Sequence, residues 1–229
     1  MWTPEAYFDF VKSSFEKMGD PEVAQGQVRY MRDQFEFFGM KAPVWYPFSK
    51  KLIKEKGALM GDDLKKFVRM CYEDDHREMQ FFGIEMVQAG LKNQPAEFAD
   101  FLEELISTKS WWDTVDWLAK LVGIHFKNHP EIIRPVTERW MQSGNIWLQR
   151  SCMIFQLLYH EKTDAALLFE YVRRLRFSNE FFIQKGAGWA LRQYSKQNPA
   201  AVIDFVSNTE LAPLTKREAL KWLKNQDKI

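Results

Sequence analysis

Helix-start signals recur along this chain and no stretch alternates like a strand; together these leave few folds open. Thr3-Pro4-Glu5 and Asp20-Pro21-Glu22 each offer a capping side chain, a proline for the first helical position and an early acid. Ser110-x-x-Asp113 is close to a capping box, Asn145 precedes an apolar run, and Asn198-Pro199 and Thr215 open the last two segments. Between these signals apolar residues return at helical spacing, as in Phe8, Val11 and Phe15, in Leu102, Leu105 and Ile106, or in Phe155, Leu158 and Tyr159. Sustained alternation with hairpin turns is missing. The pattern predicts an all-α chain of about a dozen helices, each roughly 10–18 residues long, joined by short loops. Pro47 is expected to delay the third helix, because proline is tolerated only in a first turn.

The helices pair with a rhythm of roughly 35–45 residues, the period of HEAT-like and armadillo-like arrays. A stack of such pairs predicts a curved solenoid with a concave surface able to cradle an extended partner. No linker or low-complexity segment interrupts the chain, so a single domain over residues 1–229 is expected. An apolar fraction of 46%, with nine Trp and nineteen Phe, is enough for a substantial core. Trp2, Trp117, Trp140, Trp147 and Trp222 are assigned to it.

Charge narrows the partner. Residues 1–133 hold 17 Lys and Arg against 22 Asp and Glu; residues 134–229 hold 15 against 9. A basic C-terminal half suits a polyanion. No apolar run reaches the roughly 18 residues of a membrane span, and the N-terminus lacks a signal-peptide pattern. Cys71 and Cys152 are far apart and form no metal spacing, which fits a reducing cytosolic setting. The four histidines match no zinc spacing, Asp74-Asp75-His76 reads as a solvated acidic patch, and neither a phosphate loop nor a nucleophile elbow occurs. No cofactor or metal is expected.

Four segments can carry chemistry. In Lys109-Ser110-Trp111-Trp112-Asp113-Thr114-Val115-Asp116, Trp112 and Asp116 are four apart and share a helix face, about 6 Å apart along the axis. An aromatic face beside a carboxylate can hold a cation, or a positive charge that develops in a transition state. Asn145 to Arg150 starts a further helix. Phe181 to Arg192 contains Gly186 and Gly188 inside a helix, at a cost of about 1 kcal/mol each, which close approach of another helix or a ligand would justify. Trp189 and Arg192 share a face of that helix. Leu214 to Glu218 is a basic helix start suited to phosphate.

These segments, with Arg29-Tyr30-Met31, Phe37-Phe38-Gly39, Pro43 and Leu211 to Ala219, resemble the AlkD-like DNA alkylation repair family of HEAT-like-repeat DNA glycosylases. The resemblance spans nearly the whole chain. It implies a monofunctional glycosylase that removes cationic N3- or N7-alkylated purines from duplex DNA, acting as a monomer in the bacterial cytosol and nucleoid. It assigns the catalytic site to Asp116, Trp112 and Trp189, and DNA contacts to Arg150, Arg192 and Tyr30. Lys185, Lys216 and Arg217 join them as DNA-facing cations. One stretch departs from the family pattern: Val44-Trp45-Tyr46-Pro47 follows Pro43 where relatives carry polar, basic residues, and Lys41-Ala42 precedes it. Two other classes compete: a non-catalytic module for distorted or branched DNA, and, more weakly, a protein-binding scaffold.

Overall fold

The computed structural model describes residues 2–226, and every regular element among them is helical. The α-helices run α1 (Pro4–Met18), α2 (Pro21–Tyr30), α3 (Ala42–Lys56), α4 (Gly61–Glu73), α5 (Arg77–Gly90), α6 (Phe98–Ser107), α7 (Trp112–Asn128), α8 (Ile133–Gln142), α9 (Ile146–Ile154), α10 (Ala165–Leu175), α11 (Phe181–Ser195), α12 (Pro199–Asn208) and α13 (Pro213–Lys224). They fall into two compact units, divided between Pro95 and Ala96. No helix among the described residues is long and apolar enough to cross a membrane.

In the first unit α1 lays Tyr7, Val11 and Phe15 into an aromatic core with Phe67 of α4 and Phe82 of α5. Each such ring contributes about 1.5–3 kcal/mol by leaving water. The non-helical strap between α2 and α3 is fastened by one buried carboxylate. Glu78 Oε1 accepts from the backbone N–H groups of Gly39 and Met40, and Oε2 accepts from Phe38, each at 3.0 Å. Gly39 has φ 97°, and a Cβ there would overlap the Asp20 carbonyl oxygen at 1.9 Å, so only glycine passes.

The second unit is built on α7, α9, α11 and α13. Helix α9 packs against both α7 and α11, and α11 packs closely on α13. Phe126 of α7 and Phe155, just after α9, meet edge-to-face at 5.2 Å, and Trp140 of α8 is fully buried beside them.

Several helix boundaries differ from the sequence expectation, each for a physical reason. Thr3, Asp20, Asn145 and Asn198 cap their helices as expected. Ser110 does not cap α7: its hydroxyl donates to Ile106 O at 2.6 Å, closing α6, so the cap position passes to Trp111. Pro47 does not delay α3, which starts at Ala42 with Pro43 in its first turn; Pro47 lies exposed inside the helix. Pro213, not Thr215, opens α13, and the Thr215 hydroxyl donates across to Gln184 O on α11 at 3.1 Å. Asp74 is not a solvated acid. Its side chain is buried and takes Lys12 Nζ at 2.7 Å, a partner 62 residues away. Of the five tryptophans assigned to the core, only Trp140 is fully enclosed; the rest are half-buried.

Candidate active site

Helix α7 carries Trp112 on its first residue and Asp116 one turn later. The Asp116 carboxylate is gripped from the side by Arg150 of α9: Nε reaches Oδ1 at 2.8 Å and Nη2 reaches Oδ2 at 2.9 Å. This fork geometry fixes the carboxylate plane and is among the stronger pairings available to a protein. The arginine side chain is 4% exposed and the aspartate 16%, so the pair is closed from below and open on the aspartate side. Nη1 of Arg150 donates to Phe182 O, which ties α9 to the first turn of α11.

The glycines of α11 explain how these helices come so close. A Cβ at Gly186 would lie 2.8 Å from Arg150 Nη1, and one at Gly188 would lie 2.5 Å from the Glu218 Cβ and 2.9 Å from the Thr215 carbonyl oxygen. Close helix approach, as anticipated from the sequence, is the reason for both. Trp111, Trp147 and Phe182, whose carbonyl accepts from Arg150, form an aromatic cluster with ring centroids 5.8, 5.2 and 4.8 Å apart.

The remaining assigned residues divide by environment. Trp189 of α11 is half-buried, and the Lys120 ammonium of α7 stands 6.0 Å from its ring centroid. Lys185 and Arg192 of α11 converge on one carboxylate, Glu218 of α13, at 2.7 and 2.8 Å. Lys185 beside it holds the Glu218 carboxyl below the usual range. Lys216 and Arg217 are exposed in the first turn of α13. Tyr30 ends α2 in the first unit, with its ring 70% exposed beside a shallow depression lined by Val23, Gly26, Gln27 and Lys41.

Arg150, expected among the DNA contacts, has a buried guanidinium that pairs with Asp116 and the Phe182 carbonyl. The sequence did not single out Glu218 as the shared counter-ion, the Trp111–Trp147–Phe182 cluster, or Lys120. Gly186 was the one local trace of the buried arginine.

The described elements form an all-helical protein in which the Asp116 carboxylate of α7 is clamped by Arg150 of α9. The model of the family described as DNA alkylation repair enzyme matches residues 11–223, and this chain belongs to that family. A solved structure described as a predicted DNA alkylation repair enzyme from Enterococcus faecalis is 33% identical, covering 90% of this chain and 96% of its own, with a TM-score of 0.83. AlkD2 from Streptococcus mutans shares the fold at 15% identity and a TM-score of 0.66, over 96% of this chain and 99% of its own. So does smu.31 from Streptococcus mutans UA159, at 18% identity and 0.61, over 79% of this chain and 96% of its own. Among curated proteins no sequence matches this chain.

Proposed function

We propose that this protein is a monofunctional DNA glycosylase that hydrolyses the N-glycosidic bond of N3- or N7-alkylated purines in duplex DNA. The observation that carries this reading is the Asp116 carboxylate, locked by Arg150 on one side and left open on the other. A carboxylate oxygen has two lone-pair directions. Arg150 takes one on each oxygen, and the second stays available to a ligand.

An alkylated purine already carries positive charge and leaves without protonation. Its departure spreads positive charge over the deoxyribose C1′ and ring oxygen. Asp116 stabilises that charge and orients the water that attacks C1′ as the neutral base departs. A fixed carboxylate pays no reorganisation cost when the charge appears, which is the benefit of the Arg150 fork. Trp112 and Trp189 flank the sugar and add attraction between ring face and cation. Arg192, Lys185, Lys216, Arg217 and Tyr30 face the DNA strands, where phosphate contacts set register without reading sequence. The protein works as a monomer in the bacterial cytosol and nucleoid, needs no cofactor, and forms one HEAT-like repeat domain over residues 1–229. A single cooperative thermal transition supports that last point, and two separate transitions overturn it.

The test is release of alkylated bases from methylated duplex DNA by the purified protein, with Asp116→Asn alongside. Release by the wild type alone supports the reading. No release by either protein, with DNA binding retained, replaces it with a non-catalytic DNA-binding module.

A further inference from the structure

We propose that Lys120 is a phosphate-binding residue of this same site, holding the phosphodiester that flanks the nucleotide whose base is released. The inference rests on the glycosylase reading above. Trp112, Asp116 and Lys120 lie at successive four-residue steps of α7, so they form one stripe along that helix. At the far end of the stripe, the Lys120 ammonium reaches toward Trp189 of α11, 6.0 Å from the ring centroid. Lys120 therefore stands beside two of the three side chains assigned to the chemistry.

Its charge is what needs explaining. Arg150 is paired with Asp116, and Lys185 and Arg192 share the single carboxylate of Glu218. Among the described residues no carboxylate lies within ion-pair distance of the half-buried Lys120 ammonium. The Asp116–Arg150 pair sums to zero, so Lys120 leaves this corner of the site with a net positive charge. A positive corner repels a cationic lesion unless an anion arrives with it. The substrate brings one: each nucleotide carries a phosphodiester next to its sugar. Lys120 on that phosphate cancels the excess charge, anchors the sugar over Asp116, and clears the face of Trp189. Its present hold on the ring is at the outer limit of a cation–π contact, so the move costs little.

The experiment measures binding, not base release, so it is independent of whether the glycosylase reading survives. The probe is a duplex with one tetrahydrofuran abasic site, titrated across salt concentration. Lys120→Met keeps the aliphatic stem and removes the charge; Lys120→Arg keeps the charge. The expected result for Lys120→Met is a salt slope shallower by about one phosphate contact and affinity about eightfold weaker near 0.1 M salt, with Lys120→Arg close to wild type. A neutral methylphosphonate beside the abasic site is expected to weaken the wild type and leave Lys120→Met unchanged. An unchanged slope in Lys120→Met, or equal methylphosphonate losses in both proteins, overturns the proposal.

Discussion

Glu78 in the first unit and Asp116 in the second are both anchored carboxylates, and they are anchored in opposite ways. Glu78 is fully buried, and its two oxygens take three backbone N–H groups of the strap between α2 and α3. Nothing of it faces outward, and its work is to hold the strap. Asp116 takes no backbone donor in the bonds that fix it; a single buried guanidinium holds both oxygens from one side. Its side chain keeps 16% exposure to solvent. A carboxylate satisfied all round is scaffold, whereas one satisfied from behind is still free to meet a ligand. Glu85 marks a third condition. It is buried in α5 with Oε2 lacking any hydrogen-bond partner, and burial raises its pKa.

Four substitutions separate these conditions, from the largest effect to the smallest. Asp116→Asn keeps the shape and removes the charge. Single-turnover base release is expected to fall by about a hundredfold or more, with binding to the abasic-site duplex nearly intact. Arg150→Met strands Asp116 without its partner, and is expected to cost about 3 kcal/mol of stability in denaturant titration. Glu78→Gln places an amide N–H₂ among three N–H donors. It is expected to cost about 2 kcal/mol, while base release per folded molecule stays at the wild-type level. Equal damage to release by Glu78→Gln and Asp116→Asn breaks the comparison.

Glu85→Gln is expected to stabilise the protein slightly at neutral pH. The folded protein binds the Glu85 proton more tightly than the unfolded chain, whose glutamate ionises near 4.5. Stability from this group is therefore complete below that value and declines as pH rises through the raised folded pKa. The gain from glutamine is expected to vanish at about pH 4 and grow above it, as thermal melts across pH will read. A gain independent of pH contradicts the burial account.

The helical fold was legible because helix signals are local. Thr3, Asp20, Asn145 and Asn198 each cap within three residues, and apolar spacing marks the buried faces. Ser110 misled because its hydroxyl had a second local acceptor, the Ile106 carbonyl, in the preceding helix. Within the site, Trp112 and Asp116 were legible together, since one helix sets their spacing. The partnership of Arg150 with Asp116 was not. It joins residues 34 apart, and no local pattern distinguishes an arginine bound for phosphate from one bound for a carboxylate. The same holds for Glu218, which draws Lys185 and Arg192 from another helix. Gly186 and Gly188 showed that something came close to α11 but not what it was.

The most direct test of the central claim is a double-mutant cycle on single-turnover base release from methylated duplex DNA, using Asp116→Asn, Arg150→Lys and both together. If Arg150 acts by holding Asp116, Arg150→Lys slows the wild type and costs nothing further once Asp116 is neutral. Losses that add within about 0.5 kcal/mol would contradict that account and give Arg150 a role of its own.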